Sequence, residues 1–225
     1  MGFAAAVSGH TKRVTPELIG LLAAALILAS AVPQFRELSH SGAEGVSLLS
    51  WLLLLGTTTV WLAYGFKIGS LSTVVGNAGG MTAFAILVSR LLFVRTRRLF
   101  VALAVVPGVV IGLALAFVLP TAVAGAIGVV LGISLAMPQL FSSIHTWRHD
   151  ESSAVALGSW MFLFSGQVLW LIYGVIAVQP AIVVVNATAA LIGATVLMLE
   201  VRIRSRAQAP GFSPALRMEP ATDPV

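Results

Sequence analysis

The stretch WLAYGFKIGSLSTVVGNA, from Trp61 to Ala78, returns 109 residues later as WLIYGVIAVQPAIVVVNA, from Trp170 to Ala187. Both copies contain Trp-Leu, Tyr-Gly and Asn-Ala at the same spacing, with sixteen residues from tryptophan to asparagine. The whole chain has only two tyrosines and two asparagines, and each pair falls on equivalent positions. Matches among the rarest residues indicate an internal duplication.

The duplicated unit extends upstream of this stretch. Ser50-Trp51 aligns with Ser159-Trp160 at the same shift, and a shift of 105 aligns AVPQF (Ala31–Phe35) with AMPQL (Ala136–Leu140). The four residues by which the two shifts differ are placed in a loop. Each copy covers three apolar segments, which predicts a repeated three-helix unit.

The composition is that of an integral membrane protein, with 58% hydrophobic and 9% charged residues and a mean hydropathy of +1.00. A membrane-crossing helix needs about 20 residues, so 225 residues provide six to eight crossings and exclude a large soluble domain. Because the chain has no cysteine, disulfides, thiolate metal sites and cysteine nucleophiles are excluded. The net charge of +5 is interpreted as a signal of membrane orientation, and no nucleic-acid partner is predicted.

Seven apolar segments are predicted to be transmembrane helices, because an open strand in lipid leaves its backbone groups unpaired. The fourth segment belongs to neither copy, and this added crossing gives both three-helix units the same direction. The predicted fold class is an all-α membrane protein with seven transmembrane helices in 3+1+3 parallel repeats around an axis along the membrane normal. The segments are Leu18–Gln34, Val46–Phe66, Leu71–Leu92, Leu99–Leu119, Ala122–Phe141, Val155–Val178 and Ala181–Leu199.

Positive charge orients this predicted bundle. Ten lysines and arginines fall on one face and three on the other, which places the N-terminus outside and the C-terminus in the cytoplasm. Short loops and a preference for arginine over lysine favour a bacterial plasma membrane. The predicted organisation is an extracellular N-terminus (1–15), a first repeat (16–93), a linker helix (94–120), a second repeat (121–201) and a disordered cytoplasmic tail (202–225).

The start of the chain also resembles a cleavable signal peptide, with Lys12-Arg13, the apolar run Leu18–Leu28 and the small residues Ala29-Ser30-Ala31. The second copy has no reason to resemble a signal, yet it has the same Ala-x-Pro-Gln ending. We therefore interpret this segment as the first transmembrane helix.

Ionisable side chains are predicted to lie outside the hydrocarbon. The four histidines and all the acidic residues, Glu200 among them, fall at helix ends, in loops or in the tail. A proton relay, a sodium site or a metal centre normally needs such groups at membrane depth. Ion-coupled pumping and intramembrane hydrolysis are therefore not expected, and neither a metal nor another cofactor is predicted.

Neutral polar side chains remain as candidates for binding a solute. Trp61 and Asn77 are predicted at one depth, and Trp170 and Asn186 repeat the pair across the pseudo-twofold axis. An amide suits vicinal hydroxyls, and an indole face suits the C–H surface of a sugar ring. The four residues predict a site for a neutral polyhydroxylated solute. The alternative is that the asparagines connect helices by hydrogen bonds and the tryptophans anchor the membrane interface.

The remaining aromatic residues of the repeat also have two interpretations. Tyr64 and Tyr173 lie three residues beyond the paired tryptophans and one turn nearer the outside. They either close an outer gate or anchor the interface. Trp51 and Trp160 begin spans at the cytoplasmic side, where anchoring is the favoured interpretation.

Pro33 and Pro138 lie near the end of the first apolar segment in each copy. A proline removes one helical hydrogen bond, so it lets a helix bend near its cytoplasmic end and act as an inner hinge. The alternative is a simple helix stop, because loops are predicted after both prolines.

These residues resemble the PQ-loop proteins and, within them, the SWEET and SemiSWEET sugar transporters. Each half looks like one SemiSWEET unit, with VPQ, GAEGVSLLSW and WLAYG in the first half and MPQ, AVALGSW and WLIYG in the second. The resemblance covers about Leu18 to Leu199 and implies passive, bidirectional sugar movement by alternating access. The second helix of each half lacks the proline that is usual in eukaryotic SWEETs, so the halves are closer to SemiSWEET units.

The same resemblance assigns roles to the matching residues of each half. Where the halves differ, Thr58 aligns with Gln167, and we predict that these two residues tune selectivity. By motif match the sugar pocket is Trp61, Asn77, Trp170 and Asn186, the outer gate is Tyr64 and Tyr173, and the inner hinge is Pro33, Gln34, Pro138 and Gln139.

Two other functions stay open at this point. A proton-coupled PQ-loop amino-acid transporter requires an intramembrane carboxylate, and none is predicted. A non-transporting receptor on the same fold requires charged cavity residues, which are also lacking. The predicted partners are a sugar substrate and membrane lipid, an enzyme is not expected, and assembly as a homo-oligomer is left open.

Overall fold

A computed structural model describes residues 15–30, 32, 48–149, 153 and 155–208, and the regular structure within these ranges is helical. Five of its helices are long and apolar enough to cross a membrane, and α1 and α5 are shorter apolar helices. The predicted all-α membrane fold is confirmed. The helices are α1 (Thr15–Ser30), α2 (Leu48–Ile68), α3 (Leu71–Thr96), α4 (Leu99–Leu103), α5 (Val105–Val118), α6 (Thr121–Arg148), α7 (Leu157–Ile176) and α8 (Pro180–Ala207).

The fourth predicted crossing is formed by α4 and α5 together. The interruption falls at Ala104, because Pro107 has no N–H to donate to the carbonyl of Leu103. Backbone bonds from Ala104 to Phe100 (3.0 Å) and from Gly108 to Ala104 (3.2 Å) continue the helix across the interruption. We refer to α4 and α5 as the linker.

The helices pack as two three-helix bundles and the linker. In the first half α2 packs along α3, and in the second half α8 packs along both α6 and α7. Gly76 of α3 lies against Ala24, which brings α1 into the first bundle. The halves meet where α2 packs on α6 and where Gly166 of α7 packs on Ala23 and Ile27 of α1. The linker packs on α2 and α3 of the first half.

The same turn joins the second and third helices of each half. Gly69 after α2 and Val178 after α7 both have a positive φ, of 66° and 54°. In each turn the next N–H bonds back to the glycine of the Tyr-Gly pair, at 3.0 Å and 2.8 Å, as in a Schellman motif. We call the end of the bundle with these turns the outer end, following the orientation that the charges predict.

The glycine of each Tyr-Gly pair lets the third helix fold back closely on the second. A Cβ on Gly65 would lie 3.0 Å from the backbone nitrogen of Val74, and one on Gly174 would lie 3.0 Å from that of Val183. Contacts this short force a backbone to shift, so a larger residue opposes the close hairpin. Local packing thus explains why Tyr-Gly recurs.

Two helices continue past the ends that the apolar pattern predicts. α6 ends at Arg148, seven residues beyond Phe141, and α8 ends at Ala207, eight residues beyond Leu199. The first residues assigned to the cytoplasmic tail are therefore helical. Pro138 lies inside α6, so the helix-stop interpretation is wrong at this position.

Trp51 packs in the interior, and its interpretation as an interface anchor is wrong. The side chain is 7% exposed, and its rings lie 5.7 Å from the ring of Phe84, centroid to centroid. Both residues belong to a buried apolar cluster that also contains Val105 of the linker. The partners are on α3 and the linker, and the local sequence around Trp51 gives no sign of them.

Candidate functional site

Four aromatic side chains meet where the two halves join. Trp61 and Tyr64 of α2 and Trp170 and Tyr173 of α7 belong to one buried cluster, and each is between 2% and 9% exposed. Interface anchors keep one end in contact with headgroups and water, so this burial contradicts the anchor interpretation. The four rings belong to the interior of the bundle.

In each half the tryptophan and the tyrosine form the same edge-to-face pair. The ring centroids are 5.2 Å apart in both pairs, and the ring planes cross at 83° in the first half and 87° in the second. A spacing of three residues puts both rings on one helical face. The pseudo-twofold symmetry read from the repeat therefore extends to side-chain geometry.

Glycines on the first helix of the opposite half receive the tyrosine rings. A Cβ on Gly125 of α6 would lie 3.0 Å from the ring of Tyr64, and one on Gly20 of α1 would lie 3.2 Å from the ring of Tyr173. Gly20 and Gly125 are equivalent positions at the shift of 105. The two halves thus contact each other through aromatic rings against bare helix backbone.

Each tyrosine hydroxyl also crosses to the other half. Tyr64 donates to Oε1 of Gln179 at 3.2 Å, and Tyr173 donates to Oγ of Ser70 at 2.6 Å. Ser70 and Gln179 are equivalent residues, each immediately before the third helix of its half. Sequence reasoning missed these partners, although the shift of 109 aligns them. The two bonds join the halves at the outer end.

The outer connection is more extensive around Tyr173. Oε2 of Glu17 accepts a bond from the backbone nitrogen of Ser72 at 2.6 Å, and its Oε1 lies 3.4 Å from the hydroxyl of Tyr173. A carboxylate at the first turn of α3 also complements the helix dipole. The position equivalent to Glu17 in the second half is Ala122, so the outer network is asymmetric.

Replacing Tyr173 by phenylalanine is expected to loosen the outer end. The variant loses the bond to Ser70, and one net hydrogen bond of about 1 kcal/mol changes an equilibrium about fivefold. Because the chain has no cysteine, a single cysteine at buried Ala24, one turn inward from Gly20, reports on opening. We expect an impermeant maleimide added outside to label this cysteine about fivefold faster in the Tyr173→Phe variant.

Tyr64→Phe is the matched comparison for this measurement. It removes only the 3.2 Å bond to Gln179 and leaves the network around Glu17 in place, so a smaller increase is expected. Equal labelling rates in all three proteins would show that the crossed tyrosine bonds do not hold the outer end closed.

Asn77 and Asn186 are oriented by their own helices. Nδ2 of Asn77 donates to the carbonyl of Thr73 at 2.9 Å, and Nδ2 of Asn186 donates to that of Ile182 at 2.8 Å. Within the described ranges neither amide bonds to another helix, so the interpretation as interhelical connectors is wrong for this structure. The second N–H and the carbonyl oxygen of each amide are available to a ligand.

The tryptophans lie beside the two asparagine-bearing helices. Cζ2 of Trp170 is 3.8 Å from the place of a Cβ on Gly76, the residue before Asn77. Val185, the counterpart of Gly76 in the second half, packs in the same cluster as both tryptophans. Among the described residues, the buried polar atoms without a hydrogen-bond partner do not include the indole nitrogens of Trp61 and Trp170. Both nitrogens therefore keep some accessible surface. The assignment of both pairs to one sugar site remains a prediction.

Thr58 and Gln167, the two residues predicted to tune selectivity, differ in their hydrogen bonding. The hydroxyl of Thr58 donates within its own helix, to the carbonyls of Leu54 (3.1 Å) and Leu55 (3.0 Å). Its methyl group approaches Gly80, at 3.1 Å from the place of a Cβ. Gln167 is half-buried, and no hydrogen bond holds its amide among the described residues. Both roles stay predictions.

Of the two Pro-Gln motifs, the structure describes the one in the second half. Pro138 and Gln139 lie inside α6, about ten residues before its end, and the missing N–H of Pro138 permits a bend there. Nε2 of Gln139 donates to Oγ of Ser143 at 3.2 Å. Pro33 and Gln34 lie outside the described residues. The hinge remains a prediction.

One carboxylate lies in the interior, which sequence reasoning missed. Glu200 is seven residues before the end of α8 and has no exposed surface. Its Oε1 accepts a bond from Oγ of Ser143 at 2.7 Å, and its Oε2 has no hydrogen-bond partner. Glu200 was predicted at a helix end, and it lies instead inside α8 and is buried against α6. In the described part of the chain it belongs to no group of three metal-binding side chains.

The arrangement of the helices is shared with a solved transporter. The structure of a eukaryotic SWEET transporter at 3.7 Å resolution matches with a TM-score of 0.73, covering 87% of this chain and 99% of that chain. The fold is SWEET-like. Sequence identity is 19%, so the likeness concerns the fold. Searches against protein-family models and curated proteins give no match. In this SWEET-like fold α1–α3 and α6–α8 are the repeated units.

Proposed function

We propose that the protein is a sugar transporter that moves a mono- or disaccharide passively and in both directions. The observation that carries this proposal is the buried junction of the halves, where two tryptophans and two asparagine-bearing helices are related by the repeat. The likeness to the fold of a eukaryotic SWEET transporter supports it. A chain of two similar halves is also a common architecture for transport by alternating access, in which one repeat rocks against the other.

The chemistry of the junction suits a neutral ring with many hydroxyls. Trp61 and Trp170 offer flat apolar faces to the C–H surface of a sugar. Asn77 and Asn186 offer an acceptor and a donor that their own helices leave unused. In the cycle we propose, the crossed tyrosine bonds break to open the outer side, and bending at the Pro-Gln motifs opens the inner side.

Flux into proteoliposomes tests the proposed function. Purified protein is reconstituted, and counterflow of radiolabelled mono- and disaccharides is followed with no ion gradient. We expect saturable flux of at least one sugar in both directions. Absence of saturable flux for every common sugar, with protein that is folded in the vesicles, would overturn the proposal.

A proton-coupled amino-acid transporter is the second candidate, and Glu200 is the observation that favours it. The sequence argument against such a transporter depends on the absence of an intramembrane carboxylate, and Glu200 is a buried carboxylate within the spanning helix α8. Its contact with Ser143 places it toward the inner end, away from the tryptophan pair. Amino-acid accumulation driven by a pH gradient and abolished by a protonophore would replace the sugar proposal with this one.

We further propose a bacterial plasma membrane location with the N-terminus outside. The arginine-rich ends of α3 and α8, and the end of α6 with Arg148, all lie opposite the turns at Gly69 and Val178. A cysteine at Val178, an exposed residue of the equivalent turn, should react with an impermeant reagent added to intact cells. A cysteine at Gln208 should react only after lysis, and the reverse pattern would invert the orientation.

A further inference from the structure

Glu200 carries a sealed acceptor that the proposed transport mechanism does not use. The side chain has no exposed surface, and Oε2 has no hydrogen-bond partner. An ionised carboxylate in this setting lacks the pairing that a buried charge needs, whereas a neutral carboxylic acid carries its own proton there. The unpaired oxygen therefore identifies a place for a proton.

The hydrogen bonds around Glu200 end on Oε1, the oxygen that is paired. Gln139 donates to Ser143 at 3.2 Å, and Ser143 donates its hydroxyl hydrogen to Oε1 of Glu200 at 2.7 Å. The chain connects the carboxyl group directly to the Pro-Gln motif of α6. A bend of α6 at Pro138 moves Gln139 and Ser143 relative to α8, so it changes the surroundings of the carboxyl group.

In the part of the chain that the structure describes, no charged group on the helices packed against α8 compensates Glu200. The charged or titratable groups on the inner part of α6 are His145, Arg148 and His149, all exposed, and the two histidine rings contact each other at 4.2 Å. The helix α7 has no ionisable residue between its inner end and Tyr173. Among the described residues, the carboxyl group of Glu200 is bonded by Ser143 alone.

The arginines of α8 itself are also directed elsewhere. Arg204 donates to the carbonyl of Val155 at 2.6 Å. Arg206 donates to the carbonyl of Trp147 at 3.2 Å and lies over the ring of that residue at 5.2 Å. Arg202, two residues beyond Glu200, is exposed. A proton is thus the compensating cation that the described surroundings leave for Glu200.

The repeat shows that packing does not demand a carboxyl group here. The shift of 109 places Leu91 opposite Glu200, and Leu91 is 4% exposed in the apolar cluster of the first half. An apolar side chain therefore fills the equivalent place. The glutamate is an addition of the second half, in the same way that Glu17 is an addition at the outer end of the first.

The depth of Glu200 determines from which side a proton reaches it. Glu200 is 20 residues along α8 from Pro180, or about 30 Å at 1.5 Å per residue. That distance equals the hydrocarbon thickness, so Glu200 lies at the inner boundary of the membrane. Protons of the inner compartment are the nearest source.

We propose that Glu200 is a proton-binding site filled from the inner side, and that its occupancy controls the inner gate of the transporter. The protonated carboxyl group stabilises the sealed arrangement of α6 on α8 seen here. Loss of the proton leaves a buried charge, which favours the arrangement in which water enters between Ser143 and Glu200. This inference rests on the proposed function for its consequence in transport, and on the geometry alone for the proton site.

The proton site is tested first without any transport. Infrared difference spectra of the purified protein in lipid are recorded as the pH is raised, and the carbonyl stretch of a protonated carboxylic acid is followed. We expect this band at neutral pH in the native protein and in Glu17→Gln, and its loss in Glu200→Gln. A native protein without the band at neutral pH would overturn the proposal, and so would a band that sodium removes at constant pH.

The gate is tested by sugar flux at equal pH on both sides. Native flux should fall as the pH is lowered, by no more than about tenfold per pH unit, as one titrating group requires. Glu200→Gln imitates the protonated acid and should give low flux that does not change with pH. Glu200→Leu, which copies Leu91, should be equally insensitive to pH. An unchanged pH profile in either folded variant would overturn the gating role, whereas absence of flux in the native protein would overturn the proposed function.

Discussion

Replacing Asn186 by alanine is expected to reduce sugar flux about 5- to 150-fold, since a lost hydrogen bond to a desolvated substrate costs about 1 to 3 kcal/mol. Asn77→Ala should have a similar effect because the repeat gives both amides the same orientation. The amide bond to the carbonyl of Ile182 is additional to the helix's own backbone bond at that carbonyl. The bundle should therefore stay folded, and the loss should appear in transport.

Two threonines on the same helices provide matched controls for the asparagines. Thr82 and Thr195 also bond to a carbonyl four residues earlier, at 2.8 Å and 2.9 Å. Both bonds are exposed on the surface of the bundle and lie away from the junction of the halves. Thr82→Ala and Thr195→Ala should transport like the native protein. Normal flux in both asparagine variants, with normal folding, would show that the pocket lies elsewhere.

Replacing Gly166 by leucine is expected to prevent the halves from packing. A Cβ at this position of α7 would lie 2.6 Å from the side chain of Ile27 and 3.1 Å from the backbone oxygen of Ala23 in α1. The side chain of Ile27 can move, but the backbone of α1 cannot move without separating from α7. Overpacking costs about 1 to 3 kcal/mol and often more where backbone must shift, so yield and melting temperature should both fall.

Gly158→Leu is the control on the same helix. A Cβ on Gly158 has no neighbour within 4 Å, so leucine there extends into open space. Size-exclusion profiles and melting temperatures of the two variants are measured in the same detergent. The difference between them separates the steric clash at Gly166 from the general effect of a glycine-to-leucine replacement in α7. Equal stability of both variants would mean that α1 and α7 are not in contact at Gly166.

The repeat made much of the fold predictable from sequence. Equivalent tryptophans, tyrosines and asparagines specified two three-helix units, and the linker segment specified their parallel arrangement. The ends of α6 and α8 were less predictable, because hydropathy reports where lipid ends, whereas a helix continues as long as its backbone bonds are made. Val178 shows the same limit, since a β-branched residue with positive φ is not predicted by local preference.

The aromatic junction of the halves was predictable from sequence because it is symmetric, whereas the asymmetric contacts were not. The tryptophan and tyrosine pairs were found because both halves carry them. Glu200 was assigned to a helix end outside the hydrocarbon because it follows an apolar run. Its contact with Ser143, 57 residues earlier, is what buries it. The tyrosine partners Ser70 and Gln179 were missed because serine and glutamine in a turn are ordinary surface residues.

The linker makes the two halves unequal bodies in the lipid. Besides packing on α2 and α3, it is held at its end by Lys67, which donates to the carbonyl of Phe117 at 2.9 Å and to that of Leu119. The first half and the linker therefore form a body of four membrane crossings, and the second half forms a body of three. In the transport cycle proposed above, we expect the linker to move with the first half, so that α6, α7 and α8 form the smaller of the two moving bodies.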